Sequence, residues 1–415
     1  YLSAQGDAFG AVDTRDNPAS LAAFKLEFPD IPVECGPLQV ETLSRASRLV
    51  VSPGVSRQHP AIVAAEAAGV EVLGDIDLFC RQAKAPIVAI TGSNAKSTVT
   101  TLVGEMARQA GIEVGVGGNL GIPVLELLSG EGPEKQLYVL ELSSFQLETT
   151  SELRAAVATV LNISADHMDR YPDLMAYHRA KHIVYQGCQH AVYNGDDNLT
   201  QPLIPDRVAR TVFSLQKPDL NNYGVITEEG EQYLAKGLNK LLPVSALKMP
   251  GQHNVANALA ALALAEAVNI PLPAALDALQ SFSGLKHRCQ WVRELNGVNY
   301  FNDSKGTNVG AVVAAIEGFG QQLQRKGNGR IVLIAGGDGK GADFSELKDS
   351  LLKWGRCAVL IGRDREQIAN SLDPEFKSIR SNTLSEALEL AREEAEPGDI
   401  VLLSPACASF DMFDN

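Results

Sequence analysis

Short apolar runs alternate with amphipathic stretches along this chain. Residues 87–90, Ile-Val-Ala-Ile, form one such run, which stops at Thr91-Gly92. Val99, Leu102, Val103, Met106 and Ala110 then share one helical face. In a first block, 8–12, 49–51 and 70–73 read as strands, and 60–68 as a helix closed by Gly69. A second block has strands at 86–90, 137–142, 156–163 and 190–193, and an Ala- and Leu-rich helix at 254–268. A third has strands at 330–335, 358–361 and 400–403, each followed by a Gly- or Ser-rich turn.

Strand alternating with helix is the signature of α/β units on parallel sheets, whose sites lie in the turns after the strands. The pattern predicts three domains, 1–76, 77–282 and 283–415. The first is a Rossmann-like unit, the second a P-loop ATPase-like parallel sheet and the third again Rossmann-like. The chain opens on what reads as the last turn of a helix ending at Gly6, so the first unit is expected to be incomplete at its start.

Composition narrows the function. The chain has 415 residues, too many for one core, and a net charge of −14, which disfavours nucleic acid or an anionic membrane as partner. No apolar run is long enough to cross a bilayer and no secretory signal opens the sequence. The six cysteines are scattered, none in a Cys-x-x-Cys pair, which fits free thiols in a reducing cytoplasm better than a disulfide framework or zinc site. Any phosphate must therefore be held by local donors.

Gly92-Ser93-Asn94-Ala95-Lys96-Ser97-Thr98 supplies them. A strand, this loop and a helix N-terminus aim backbone N–H groups at an anion; Lys96 would neutralise β/γ-phosphates and Ser97 would hold Mg²⁺. The plainer alternative is an ordinary turn carrying an exposed lysine. Ala95 stands where such loops place glycine, and right-handed helical dihedrals are expected there, because alanine then carries no strain.

"TGSNAKST" resembles the loop of the Mur ligase family, which makes peptide bonds in bacterial cell-wall precursors. "LELSSFQLE" (140–148), "NISADHMDRY" (162–171), "HRAKHIVY" (178–185), "GQHNVANALAA" (251–261), "NDSKGTN" (302–308), "GGDGKGADF" (336–344) and "LLSPACASFDMF" (402–413) resemble its D-glutamate-adding branch, in order, over nearly the whole chain. The resemblance implies an ATP-driven ligase whose small-molecule substrates are UDP-N-acetylmuramoyl-L-alanine and D-glutamate, acting through an acyl phosphate in peptidoglycan precursor synthesis. It further implies a cytoplasmic monomer using ATP and two Mg²⁺ ions. Ala95 and Gly306, where Gly and Ala are expected, depart from the family pattern.

Site residues follow by the same resemblance. Glu141, at a strand end, is implied as a magnesium ligand and His167 as a metal ligand beside the acyl-phosphate site. Lys181 matches a lysine carried as a carbamate, which requires a neutral amine and could hold a second Mg²⁺. Asn254, Asn257, Arg288 and Asp303 match nucleotide contacts, and by its own pattern Asn254 also reads as a helix N-cap. Thr307, Lys340, Ser409 and the backbone at Phe410 match the D-glutamate pocket. Asp13, Thr14, Arg15 and Ser52, with Asn119, Ser143 and Glu148, match the surroundings of the UDP-linked substrate. Singly, most of these would read as solvated loop residues.

Other readings are a different member of the same family, a folylpolyglutamate synthase, or a nucleotide-dependent switch that joins no substrates. "ELSSFQLE" and "SPACASFDMF" disfavour the first two. The Asp-Asn-Pro-Arg expected in the third domain of a diaminopimelate-adding enzyme is missing, since Asp-Asn-Pro occurs only at 16–18.

Overall fold

The computed structural model describes residues 1–128, 132–249, 251–327 and 329–413. Its centre is a nine-stranded sheet in the order β13-β12-β11-β10-β9-β8-β5-β7-β6. Here β5 is Ile87–Thr91, β6 Val114–Gly118, β7 Leu137–Glu141, β8 Val157–Val160 and β9 His190–Asn194. β10 is Ala209–Phe213, β11 Tyr223–Glu228, β12 Glu231–Lys236 and β13 Asn239–Pro243. β5 to β11 pair in parallel, whereas β12 and β13 add an antiparallel meander.

Every residue of β5, β7 and β8 is buried. That explains their unbroken apolar sequence, since helices cover both faces of a parallel sheet. One face packs under the Lys96–Gln109 and Gln252–Ala267 helices, with Val99, Val103 and Leu259 fully enclosed. The other packs under Phe79, Leu147, Tyr177 and Tyr185. Strand order reverses at β5, which sits between β7 and β8, and the 92–98 loop leaves the C-terminal end of β5 at this switch point.

The C-terminal sheet runs β14-β15-β19-β16-β17-β18, with β14 (Gln290–Leu295) antiparallel to β15 (Val298–Asn302). β16 (Ile331–Gly336), β17 (Gly355–Ile361), β18 (Ser378–Arg380) and β19 (Ile400–Leu403) complete it in parallel. In the first block, β1 (Ala11–Asp13) pairs with β2 (Val33–Cys35) and β3 (Arg48–Val50) with β4 (Glu71–Leu73), as two separate parallel pairs. Val12 and Val50 remain exposed.

Several expectations change. The first strand begins at Ala11, not at residue 8, and the large helix begins at Gln252, with Gly251 (φ 99°) as its N-cap. Asn254 therefore lies inside the first turn and is not the cap. β6 and β10 to β13 were not foreseen, although Glu229-Gly230, both at positive φ, make the hairpin turn between β11 and β12. Among the described residues no helix is long and apolar enough to cross a membrane.

Candidate active site

Gly92 leaves β5 at φ 153°, and a Cβ there would lie 3.1 Å from the Leu161 side chain, so the chain turns close against the β8 exit. Asn162 fixes the loop, its Oδ1 accepting from Asn94 N (2.7 Å) and its amide donating to Asn94 O (3.2 Å). Ser93 Oγ donates to Ser164 O at 3.0 Å and accepts from Ser164 N at 2.9 Å.

Ala95 has φ 65° and ψ −3°, the left-handed region, which corrects the right-handed expectation. The residue is the N-cap rather than the first helical residue, and the loop must reverse there before Lys96 starts the helix. An L-residue in that region carries about 1 kcal/mol of strain. Ala95→Gly is therefore expected to raise unfolding stability by about 0.5 kcal/mol, the relieved strain less glycine's greater unfolded-state entropy, measured by chemical denaturation. An unchanged or lower value would contradict the strain.

Two lysine amino groups converge on one carbonyl. Lys96 Nζ donates to Gly92 O (2.8 Å) and Ser93 O (2.9 Å), and Lys181 Nζ donates to Gly92 O at 2.8 Å. Lys181 is 1% exposed and lies 4.6 Å over the Tyr177 ring. Burial, and then the charge of Lys96, hold its pKa well below the ordinary lysine value. Lys96 is lowered too, chiefly by burial, against the raising effect of Glu141 and Asp166.

Glu141 ends β7 at 2% exposure. Its Oε1 accepts from Asn119 Nδ2 at 2.7 Å, while Oε2 is buried without a hydrogen-bond partner. An orphaned carboxylate oxygen next to a phosphate loop suits a divalent cation. Mg²⁺ asks little more of a protein, taking one or two side-chain oxygens and completing its shell with phosphates and water. Ser97 Oγ is the second candidate oxygen, here accepting from Arg288 Nη2 at 2.8 Å. Among the described residues no three His, Cys, Asp or Glu side chains cluster as a ready-made metal cage.

His167 sits at φ 57°, its ring 4.8 Å from the Phe145 ring and its Nε2 3.8 Å from Asp166 Oδ2; burial foremost lowers its pKa. Asp166, not singled out from the sequence, receives Lys340 Nζ at 2.8 Å. Burial pushes this carboxyl up, but Lys340 and His167 outweigh it and the net shift is down. Asn308 was also missed. It caps the Val309–Lys326 helix through Ala311 N, and its amide reaches Asn94 Oδ1 (3.0 Å) and Asp166 Oδ2 (3.3 Å).

Thus Arg288, Asn308 and Lys340 of the C-terminal block all touch the central site. Their loops are joined to that of Ser409: Ala406 N donates to Gly306 O at 2.8 Å, and Asp338 and Ala408 exchange backbone hydrogen bonds. Thr307, Lys340 and Ser409 therefore occupy adjoining loops after β15, β16 and β19, with Ser409 and Phe410 exposed. Asp303 accepts from Cys289 N (3.0 Å) and Ser404 Oγ (2.6 Å), and burial raises its pKa.

A cavity of about 380 Å³ opens beside the loop, lined by Ala95, Thr98, Asn254, Asn257, Arg288 and Asp303. Half-buried His253 also lines it and gave no separate signal in the sequence. A second cavity, about 390 Å³, holds Asp13, Thr14, Arg15 and Ser52. Arg15 pairs with Asp13 at 2.7 Å and draws that carboxyl down to about 2. Ser143 is placed as the N-cap of the Ser144–Glu148 helix, in a capping box with Gln146.

Three family models cover the chain: "Mur ligase MurD-like, N-terminal domain" at residues 1–74, "Mur ligase middle domain" at 90–265 and "Mur ligase, glutamate ligase domain" at 287–407. UDP-N-acetylmuramoylalanine--D-glutamate ligase from Pseudomonas fluorescens Pf-5 is 56% identical over the whole chain, which spans 91% of that protein. The protein of the same name from Hahella chejuensis is 51% identical over the same spans. Among solved structures, UDP-N-acetylmuramate-alanine ligase from Thermotoga maritima matches with TM-score 0.62 and 21% identity, over 98% of this chain and 92% of that one. A MurF ligase from the same organism, in complex with ADP, gives 0.61 and 15%, over 98% and 86%. The site's loops and the matched sequence agree: this chain belongs to the Mur ligase family.

Proposed function

We propose that this chain joins D-glutamate to UDP-N-acetylmuramoyl-L-alanine, with ATP converted to ADP and phosphate. The observation that carries the reading is the convergence of Lys96 and Lys181 beneath the phosphate loop, with the orphaned Glu141 oxygen beside it and Arg288, Asn308 and Lys340 closing from the C-terminal block. A carboxylate and a triphosphate repel each other, and Lys96, Arg288 and Lys340 bring positive charge to where they must meet.

In this reading the loop N–H groups and Lys96 hold the nucleotide's phosphates, with Asn254, Asn257, Arg288 and Asp303 along its length. Ser97 and Glu141 would hold one magnesium ion and His167 with a carbamylated Lys181 a second, and the bound metal would supply neutralisation of phosphate charge. The substrate carboxylate attacks the γ-phosphorus and ADP leaves. The D-glutamate amine then attacks the acyl carbon and phosphate departs. Lys340 exchanges Asp166 for a carboxylate of D-glutamate, with Thr307, Ser409 and the Phe410 backbone as neutral donors. Asp13, Thr14, Arg15 and Ser52 seat the uridine diphosphate portion, with Asn119 and Ser143 nearer the reacting end. A monomer suffices, because all these groups come from one chain.

The test is phosphate release measured with each substrate omitted in turn. Release requiring both UDP-N-acetylmuramoyl-L-alanine and D-glutamate is the expected result. Release indifferent to D-glutamate would instead favour a nucleotide-driven switch.

A further inference from the structure

Arg170 has no role in the account above, yet it touches three separate parts of the site. Nη1 donates to Pro53 O at 3.0 Å, in the 52–54 turn of the first block. Nη2 donates to Glu148 Oε2 at 2.6 Å, and the guanidinium carbon lies 4.1 Å over the Phe145 ring. Phe145 in turn packs against the His167 imidazole, 4.8 Å between ring centres, and Arg170 N donates to His167 O at 3.0 Å.

Each contact has a physical reason. Glu148 ends the Ser144–Glu148 helix, where a carboxylate faces the negative end of the helix dipole and needs a cation beside it. A guanidinium can donate edge-on to two acceptors while its face covers a ring, which an ammonium cannot do. Arg57, also from the first block, reaches Glu148 O at 3.4 Å, so the same helix end is tied twice to the block that holds the second cavity.

We propose that Arg170 is a positioning residue for the ligase reaction, coupling the 52–54 turn beside the UDP-substrate cavity to the orientation of His167 through the Phe145 ring. The coupling rests on the ligase reading above. A shift of Pro53 on substrate binding moves the acceptor of Nη1, and the guanidinium carries that shift to the ring against which the imidazole leans.

The experiment is steady-state kinetics of the full enzyme, with calorimetric titration of UDP-N-acetylmuramoyl-L-alanine. Wild-type turnover dependent on both substrates establishes the ligase reading separately, so failure there is distinguishable from failure of the variants. Arg170→Met, which keeps the stem, is expected to lower kcat about tenfold to a hundredfold. It should also weaken binding of the UDP-linked substrate about tenfold, with the KM for ATP unchanged. Arg170→Lys should not restore either parameter, and Glu148→Gln should move the same two in the same direction by less. The proposal is overturned if Arg170→Met keeps wild-type kcat, or if Arg170→Lys restores both parameters. It is likewise overturned if all three KM values rise together with a lowered Tm, the pattern of a merely structural residue.

Discussion

Lys96→Ala is expected to lower kcat about a thousandfold, the loss seen when one preorganised charge-stabilising donor is removed from an enclosed site. The reasoning starts from burial. Lys96 is partly buried and its charge is disfavoured there, so its ammonium is retained by two loop carbonyls and by the nearby carboxylates of Glu141 and Asp166. Such a group gives the fold little, since its hydrogen bonds offset its desolvation, and Tm should change by no more than a few degrees. Kinetics, calorimetry with magnesium–ATP and a thermal scan separate the two effects. Near-wild-type turnover would contradict the phosphate-loop assignment.

Lys181→Ala should rank with it, lowering kcat by about a hundredfold or more, because the side chain is enclosed against Gly92 O and Tyr177 with no path to solvent for an ordinary surface role. Its depressed pKa makes the neutral amine available to carbon dioxide. Labelled bicarbonate should therefore give a carbamate carbon resonance in the wild type that the variant lacks. Without the modification, the sign of the pH effect is fixed. The folded-state pKa lies well below the ordinary 10.5, so between the two values the unfolded chain binds the extra proton and stability rises with pH. Lys181→Met should flatten that slope in denaturation series run from neutral to alkaline pH. A slope unchanged by the substitution would show that Lys181 is charged in the folded state.

Much of the architecture was legible from residue patterns, because parallel strands buried on both faces must be continuously apolar and each is followed by its helix. The meander of β11 to β13 was less so, since charged residues stand at or near its strand ends and blend into turn-rich sequence, although the Glu-Gly turn between β11 and β12 was available as a signal. Ala95 was misread for a local reason. A good helix former directly before Lys96 looks like the helix itself, and only the required chain reversal makes it a strained cap. Asn254 was misread as a cap because asparagine favours that role, whereas Gly251, free to adopt positive φ, took it. Asp166, Asn308 and Arg170 stood inside quoted motifs but were passed over. Their partners Lys340, Asn94 and Pro53 are more than a hundred residues away in sequence, and no local pattern reports such a meeting.

The ion pair between Lys340 and Asp166 bears on how the site is filled. If Lys340 receives the amino acid as proposed, an arriving diacid finds the ammonium already satisfied by an internal carboxylate, so docking trades one anion for another of the same kind. The net gain is small, and the released Asp166 pushes back electrostatically on what replaced it. A site built on such an exchange favours quick occupancy and quick departure of its amino acid over tight retention.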